Sequence, residues 1–270
     1  MQYALPSRRP RKILNTAETV APYASFAHVY DALLGRGFFD RLRQVFEALA
    51  RRYDLRCQSA ADVACGTGIF VRYLRLRGIP VVYGVDRSPA MLRLARTRNR
   101  GSGACFLRQD FYRLHLPQPV DLITCNFDSL NYLLSTAALL RALQMFRANL
   151  KPGGSLIFDM VTSHQPWRGQ KPRTEHAVWK GIRFQRSMRM HPRTGLQTSL
   201  VRITANGRTG LEVHRQRAYP RRVVVALLRR AGFLPLGVHD FNSLGSPSRQ
   251  TRRVVYVARA ANVFSNSFTL

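Results

Sequence analysis

The stretch Asp62-Val63-Ala64-Cys65-Gly66-Thr67-Gly68 decides the fold, because a short apolar run precedes it and an amphipathic run follows it. Residues 60–65 predict a strand, and residues 69–77 predict a helix with apolar side chains at helical spacing. Glycines at such a turn let a ligand approach the backbone, and the start of a helix offers unpaired N–H groups. The stretch is therefore a candidate ligand-binding turn between a strand and a helix.

Two common kinds of glycine-rich turn do not match this stretch. A dinucleotide site has the pattern G-x-G-x-x-G, whereas residues 66–71 have Val71 at the third glycine position. A phosphate loop needs a Lys-Ser or Lys-Thr pair, which the stretch lacks. The class of ligand must therefore come from the surrounding residues.

The alternation of strand and helix continues along the chain. Apolar runs predict strands at 81–85, 104–107, 120–125 and 155–160, and amphipathic runs predict helices at 89–100 and 136–150. After a helix at 221–231, a closing pair of strands is predicted at 234–241 and 252–258. Strands that alternate with helices indicate βαβ units. The predicted fold class is therefore α/β, with a seven-stranded sheet and helices on both faces.

Three segments lie outside this alternation. Residues 1–16 carry several basic side chains and no acidic one, and they are predicted to be a disordered basic tail. Residues 17–52 have apolar residues at helical spacing and are predicted to form N-terminal helices. Residues 167–217 contain extended runs at 177–190 and 196–204, so they predict a small antiparallel sheet inserted into the parallel one.

Charge is the unusual property of the composition. The chain has 43 Lys and Arg residues against 14 Asp and Glu residues, which gives a formal net charge of +29. A strongly basic chain attracts polyanions, so nucleic acid is one alternative partner. The arginines are spread over almost every segment, however, and this distribution favours an ordinary solvated surface.

The remaining composition indicates a compartment. No apolar run approaches the ~18–20 residues of a membrane span, and the basic N-terminus lacks the apolar segment of a secretory signal. The four cysteines, Cys57, Cys65, Cys105 and Cys125, include no C-x-x-C pair, so neither a disulfide framework nor a metal site is predicted. A reducing cytoplasm is therefore the expected location.

Polar residues follow the ends of the predicted strands. Asp86 ends the second strand, at a distance from the glycine turn that suits a carboxylate on the hydroxyls of a ribose. Asp110 follows the third strand, where an adenine amino group would lie in this topology, and residues 126–132 follow the fourth. Open α/β sheets bind ligands at the carboxyl ends of their strands, so these positions together predict one ligand site.

With these residues the chain resembles the class I S-adenosylmethionine-dependent methyltransferases, from about Tyr23 to Arg259, and the predicted methyltransferase domain is 17–270. Within them it looks most like the small-molecule enzymes that include amino-sugar and glycine/sarcosine N-methyltransferases. The resemblance implies a Rossmann-like fold and S-adenosyl-L-methionine as cofactor. The stretches that carry it are Val29–Leu33, Asp62–Gly68, Tyr83–Leu92, Gln109–Phe111, Phe127–Tyr132, Leu150–Gly154 with Phe158-Asp159, Gln216–Tyr219 and Leu228–Phe233.

The resemblance also implies where the cofactor would lie. The glycine turn would hold the methionine part, Asp86 the ribose, and Asp110 with Phe111 the adenine. Tyr30, on a lid helix, would close over the cofactor, and Asn126 would lie beside its methionine end. The predicted cofactor-binding residues are Tyr30, Asp62, Ala64, Cys65, Gly66, Gly68, Asp86, Arg87, Met91, Asp110, Phe111 and Asn126.

In such relatives the inserted sheet roofs the acceptor pocket, so the catalytic candidates are sought there. Methyl transfer needs a base only if the acceptor arrives protonated, and histidine titrates near neutrality. The predicted catalytic residues are His214, His164, Asn131 and Tyr132, with His28 and Asp128 as further candidates. An anionic acceptor is favoured by five arginines of the roof, Arg183, Arg186, Arg189, Arg215 and Arg217.

The predicted function is methyl transfer to a small-molecule acceptor, with an amine nitrogen favoured over a hydroxyl oxygen. An RNA methyltransferase is the alternative raised by the net charge. Its amine-directed forms carry Asn/Asp-Pro-Pro-Tyr/Phe after the fourth strand, whereas this chain has Asn126-Phe127-Asp128-Ser129. Thr124-Cys125 resembles the motif of carbon-5 pyrimidine enzymes, but a small residue that ends a buried strand explains Cys125 better. A non-catalytic scaffold is disfavoured because no cofactor motif is degraded.

Overall fold

A seven-stranded sheet forms the centre of the protein, and the computed structural model describes residues 18–23, 27–162, 173–191 and 193–261. In spatial order the strands are β11 (Phe233–Asp240), β12 (Arg253–Ala260), β6 (Leu150–Val161), β5 (Val120–Cys125), β2 (Ser59–Val63), β3 (Val81–Asp86) and β4 (Cys105–Arg108). The five strands from β6 to β4 are parallel, and β12 and β11 close the sheet as an antiparallel pair. The predicted α/β class with a seven-stranded sheet is confirmed.

The order of the parallel strands reverses beside β2. Strand β2 pairs with β3 on one side and with β5 on the other, so the chain continues outward in both directions from this point. The loops that leave the carboxyl ends of β2 and β5 therefore diverge and open a crevice, which is where sheets of this kind bind ligands. The glycine turn lies at the end of β2.

Helices cover both faces of the sheet. They are α1 (Ala27–Tyr30), which continues into a π-helical turn (Asp31–Gly35), then α2 (Arg36–Arg52), α3 (Ile69–Leu76), α4 (Pro89–Arg98), a 3-10 helix (Ser129–Tyr132), α5 (Thr136–Ala148) and α6 (Arg221–Arg230). Local sequence sets their starts: the Ser88 hydroxyl caps α4 by accepting from the Met91 N–H, and Pro89 occupies the first turn. Within the described ranges, no helix is both long and apolar enough to span a membrane.

Two apolar cores sandwich the sheet because successive residues of a strand point to opposite faces. On β5, Leu122 packs in the core under α2 and α3, whereas its neighbour Ile123 packs in the core under α5 and α6. Large aromatic side chains are fully enclosed in both cores, among them Phe70 on α3 and Phe146 on α5. Burying each such side chain contributes about 1.5–3 kcal/mol, so both helical layers fix the strand ends.

A second, smaller sheet packs over the carboxyl edge of the first. Its strands, in spatial order, are β1 (Glu18–Val20), β10 (Arg208–Arg217), β9 (Leu196–Ala205), β8 (Ile182–Met190) and β7 (Arg173–Trp179). Strands β7 to β10 form an antiparallel meander, as the sequence predicted. The predicted tail at 1–16 lies outside the described residues.

Two predicted elements were wrong in detail. Residues 18–20, expected to be helical, form β1, because Thr19 and Val20 favour extended backbone and pair in parallel with the free edge of β10. The run at 177–190 is not one strand but two, separated by Lys180 and Gly181, which have φ of 48° and 77°. Two successive left-handed residues form the tight turn of a hairpin, and Lys at the first of them gave a weak signal.

Gly68 offers a test of the packing beneath the glycine turn. It has φ of +74°, and a Cβ there would lie 2.8 Å from Asn99 Nδ2 and 2.9 Å from the Ala95 Cβ on α4. Gly78 is the matched control, because it also has positive φ (+88°) but a Cβ there would meet no atom within 4 Å. We predict that Gly68→Ala lowers the free energy of unfolding by about 2–4 kcal/mol and Gly78→Ala by about 1–2 kcal/mol, measured by urea denaturation. Equal losses would contradict close α3–α4 packing at Gly68.

Candidate active site

A cavity with about 640 Å³ of open space lies at the carboxyl ends of β2, β3, β4 and β5. Each strand contributes the residues that follow it, and the N-terminal segment closes one side. The lining residues are Tyr23, Tyr30, Val63, Ala64, Gly66, Asp86, Arg87, Met91, Gln109, Asp110, Phe111, Ser129 and Tyr132. Apolar side chains and a few polar groups that meet in one cavity are typical of a site for a small organic ligand.

Asp86 and Gly66 form the floor of the cavity. The Gly66 N–H donates to Asp86 Oδ2 at 2.9 Å, and the Ser88 N–H donates to Oδ1 at 2.8 Å. Burial raises the pKa of Asp86, and these two N–H groups act against that shift by binding the ionised form. Each carboxylate oxygen keeps a further lone pair, so Asp86 can accept from two vicinal hydroxyl groups.

Asp110 and its neighbours form the wall beyond Asp86. Asp110 Oδ1 accepts from the N–H groups of Tyr112 and Arg113 at 2.8 and 3.1 Å, which fixes the carboxyl group at the start of the turn. Phe111, which directly follows Asp110 in sequence, lines the cavity with an aromatic ring. A carboxylate beside an aromatic ring can bind the amino group and the flat face of an adenine.

Eight of the twelve predicted cofactor-binding residues line this cavity, and four lie beneath it. Asp62 is buried, and its Oδ1 accepts from Thr124 Oγ1 at 2.7 Å and from Asn126 Nδ2 at 3.0 Å. Cys65 is buried and its N–H donates to the Val85 carbonyl, while Gly68 packs against α4. These four residues hold the glycine turn in shape from behind, and their contact with a cofactor stays a prediction.

The N-terminal segment is held over the glycine turn by Asp31. Its Oδ1 accepts from Thr67 Oγ1 at 2.6 Å, and its Oδ2 accepts from Arg98, which also donates to the Thr67 carbonyl. Tyr30 directly precedes Asp31, is buried, and packs against Phe127 with ring centroids 5.8 Å apart. The predicted position of Tyr30 over the cavity therefore has a structural basis in this ion pair.

A chain of hydrogen bonds closes the end of the cavity below the second sheet. The hydroxyls of Tyr23 and Tyr132 are 2.7 Å apart, and the Tyr132 hydroxyl is 2.8 Å from His214 Nδ1. His214 Nε2 is 3.1 Å from Glu212 Oε2, which also accepts from the Tyr23 N–H at 2.7 Å. Two predicted catalytic residues, Tyr132 and His214, are thus in contact with each other. Sequence reasoning missed Tyr23 and Glu212.

A buried ion cluster sets the position of the 3-10 helix that carries Tyr132. The Arg253 guanidinium donates to Asp159 Oδ2 and, at 2.6 Å, to Asp128 Oδ1. Asp159 in turn accepts from the N–H groups of Phe127 and Asp128, at 2.6 and 3.0 Å, where both residues have positive φ. The strained turn at the end of β5 is therefore fixed by β6 and β12. Arg253, at the start of the closing strand, gave no sequence signal of this role.

The other catalytic candidates have different positions. Asn131 is buried, donates from Nδ2 to the carbonyls of Val161 (3.2 Å) and Arg217 (2.7 Å), and accepts from the Val161 N–H. It therefore joins β6 to β10 and does not line the cavity. His164 and the side chain of His28 lie outside the described residues. Cys125 is fully buried, and desolvation raises the pKa of its thiol, as expected for a packed strand residue.

The arginines of the roof do not converge on the cavity. Strand alternation places Arg183, Arg189 and Arg215 on the face opposite to Glu212 and His214, and all three are exposed. Arg186 shares the inner face, but it donates to Glu175 Oε2 from both Nε and Nη2, at 3.0 and 2.6 Å. The predicted anionic acceptor thus loses most of its support, because successive residues of a strand point to opposite faces and these arginines do not share the face of the cavity.

Comparison with known proteins agrees with this geometry. Residues 60–154, which include Gly66, Asp86 and Asp110, match the family model of a methyltransferase domain. This part of the chain is therefore similar to a methyltransferase domain. A dTDP-3-amino-3,6-dideoxy-α-D-glucopyranose N,N-dimethyltransferase of Streptomyces fradiae is 31% identical over 159 residues, which are 57% of this chain and 59% of that protein. The chain thus spans less than two thirds of the length of that curated relative.

Solved structures share the fold over most of the chain. A S-adenosylmethionine-dependent methyltransferase from Clostridium acetobutylicum ATCC 824 superposes with a TM-score of 0.77 at 23% identity, covering 89% of this chain and 99% of that one. A sugar N-methyltransferase from Streptoalloteichus sp ATCC 53650 has a TM-score of 0.69 at 22% identity, covering 97% and 100%. The predicted resemblance to amino-sugar N-methyltransferases is confirmed as a similarity of sequence and fold.

Asp62 generates a prediction about pH. Desolvation by burial raises the pKa of this carboxyl from its usual range near 4 to about 7. Between pH ~4 and ~7 the folded protein therefore keeps a proton that the unfolded chain releases, and stability falls as pH rises through this window. Asp62→Asn, which keeps the acceptor oxygen, should remove this loss. As pH rises from 4 to 7, we expect the free energy of unfolding of the variant to increase by about 2–4 kcal/mol relative to that of the wild type.

The measurement is urea denaturation of both proteins at several pH values. Asp54→Asn serves as the control, because Asp54 is an exposed carboxylate that pairs with Arg56 at the surface. Parallel stability curves for wild type and Asp62→Asn would show that Asp62 is ionised in the folded protein throughout the window.

Proposed function

We propose that this protein transfers a methyl group from S-adenosylmethionine to the amine nitrogen of a small-molecule acceptor, with an amino sugar as the acceptor class. The observation that carries the proposal is the pair of hydroxyls of Tyr23 and Tyr132 at one end of the cavity, backed by an imidazole and a carboxylate. That end is the one left open to an acceptor once the strand-end carboxylates hold a nucleoside.

The cavity fits S-adenosylmethionine in its donor and acceptor groups. Asp86 would accept from both ribose hydroxyls, Asp110 with Phe111 would bind the adenine, and the backbone at Ala64 and Gly66 would hold the methionine part. Gly66 has φ of +54°, and a Cβ there would approach nothing closer than Met91 Sδ at 4.0 Å, so the backbone stays open toward the cavity. Bound there, the cofactor supplies an electrophilic methyl group, and the acceptor nitrogen forms the C–N bond as the C–S bond breaks and sulfur keeps the electron pair.

The residues of the chain would contribute alignment more than covalent chemistry. Holding two reactants in line supplies most of the rate of such a displacement, and exclusion of water strengthens the local electrostatics. The rings of Tyr23, Tyr30 and Tyr132 lie together at this end, with the Tyr23 and Tyr30 centroids 5.9 Å apart. Aromatic faces attract cations, so they favour both a sulfonium and an ammonium there.

A carboxylate near the acceptor end also favours an amine. Glu212 lies behind His214, with 3.1 Å between Oε2 and the imidazole Nε2. Two of the proteins named above are, by their names, an N,N-dimethyltransferase of a dTDP-amino sugar and a sugar N-methyltransferase, which supports the same class. RNA methylation, the alternative raised by the charge of +29, lacks a comparable observation, since the exposed arginines of the roof point away from the cavity.

The test uses methyl-labelled S-adenosylmethionine and three acceptors. We expect the label to pass to dTDP-3-amino-3,6-dideoxyglucose, with the new methyl group on nitrogen by NMR. The matched acceptor is dTDP-6-deoxyglucose, which has a hydroxyl in place of the amine and should remain unlabelled. Equal labelling of the hydroxyl sugar would indicate O-methylation, and salt-sensitive labelling of bulk RNA in place of both sugars would overturn the proposal.

A further inference from the structure

Glu212 is an unusual residue for the inner face of a small sheet. It is fully buried, with 0% exposure, and His214 beside it on β10 is 5% exposed. Taking a carboxylate out of water costs several kcal/mol unless donors compensate it. Among the described residues, the Tyr23 N–H donates to Oε2, and His214 Nε2 lies 3.1 Å from the same oxygen. The buried contact with Glu212 thus fixes the orientation of the His214 imidazole beside the cavity.

The acceptor-only character of a carboxylate gives the chain of hydrogen bonds a direction. In its ionised form Glu212 can only accept at Oε2, so His214 carries its proton on Nε2, and Nδ1 is left as an acceptor. The Tyr132 hydroxyl must then donate to Nδ1 at 2.8 Å, and it accepts from the Tyr23 hydroxyl at 2.7 Å. Burial raises the pKa of both tyrosines well above the usual value, so both remain neutral hydroxyls. The unprotonated nitrogen of the imidazole, Nδ1, therefore faces the hydroxyl of Tyr132, which lines the cavity.

We propose that His214 takes up the proton of the acceptor ammonium through the Tyr132 hydroxyl, and that Glu212 is the positioning residue that keeps His214 ready to do so. The inference rests on the proposed function. In the step, the acceptor N–H bond breaks and its proton binds Tyr132 Oη, while the Tyr132 proton moves to His214 Nδ1. The nitrogen keeps the electron pair as the lone pair that attacks the methyl carbon. The imidazolium is stabilised by Glu212 and later releases its proton to water.

The groups around the imidazole are compatible with this role. Its own strand contributes Glu212, the 3-10 helix contributes Tyr132, and the N-terminal segment contributes Tyr23, whose ring centroid is 5.1 Å from the imidazole. On the neighbouring strands, the cross-strand partners Ser199 and Met188 carry no ionisable group. Farther along, Asp128 is paired with Arg253, and Glu175 is paired with Arg186. Glu212 is thus the acidic residue in contact with His214 among the described residues.

The experiment compares the pH dependence of turnover in wild type and Glu212→Gln, with dTDP-3-amino-3,6-dideoxyglucose as the acceptor. Glutamine keeps the shape but removes the charge that stabilises the imidazolium. We expect kcat at pH 7 to fall about 10–100-fold, below the ~10²–10⁴-fold range for losing a whole acid–base step. Above the pKa of the acceptor amine no proton need be removed, so the deficit should shrink to less than about 3-fold. Tyr132→Phe should show the same pH-dependent deficit.

Glu175→Gln is the matched control, because it removes a carboxylate from the same inner face and leaves Tyr132, His214 and Glu212 unchanged. We expect its kcat to stay within about 2-fold of wild type at all pH values. Parallel pH profiles for wild type and Glu212→Gln would overturn the inference while leaving the proposed function intact, and so would a deficit equal at every pH. If the wild type fails to methylate the amine, the proposed function fails. A second readout then tests separately whether Glu212 positions His214.

That readout is the tautomer of His214 in the protein without added ligand, from long-range ¹H–¹⁵N NMR at pH 8. We expect the proton on Nε2 alone in the wild type. In Glu212→Gln, where the side-chain amide can donate as well as accept, a second tautomer should appear. A proton on Nδ1 in the wild type would overturn the inference, because the Tyr132 hydroxyl could not then donate to it.

Discussion

The hydrogen bond from the Gly66 N–H to the Asp86 carboxylate is the contact on which the rest of the site depends. It joins the turn after β2 to the turn after β3, and it exists because the two strands run parallel with Asp62 opposite Gly84. The glycine turn needs this bond to hold its left-handed backbone at the edge of the sheet. The same bond fixes the carboxylate, so one interaction shapes both the turn and the group that would bind a ribose.

The second sheet depends on this arrangement and completes it. It packs over the strand ends through side chains that leave the first sheet, namely Asn131, which binds the backbone at Arg217, and Asp128, which binds Gln216. Arg253 forms ion pairs with both Asp128 and Asp159. Its guanidinium lies 5.1 and 5.3 Å from the ring centroids of Phe38 and Phe127, which stack on each other. A charged cluster placed among aromatic rings tolerates little rearrangement, so the acceptor end of the cavity is pre-organised.

Features set by local pattern could be predicted from sequence, and features set by distant contacts could not. Asp86 and Asp110 were found because a strand that ends in a carboxylate is visible in a short window. The partners Tyr23 and Glu212 are 189 residues apart, and no local pattern links them. Likewise β1 has three residues and forms only because β10 offers an edge. The prediction of an anionic acceptor failed to find support because it rested on the number of arginines in the roof and not on the strand face that each one occupies.

Affinity for S-adenosylmethionine, measured by isothermal titration calorimetry on wild type and Asp86→Asn, tests the central claim most directly. If the strand-end carboxylate holds the ribose, the variant should bind about 10–100-fold more weakly, since it loses two hydrogen bonds to a charged acceptor. Urea denaturation of the same samples should show that the variant is folded, which separates lost binding from lost structure. Unchanged affinity in a folded Asp86→Asn protein would contradict the assignment of this cavity to the cofactor.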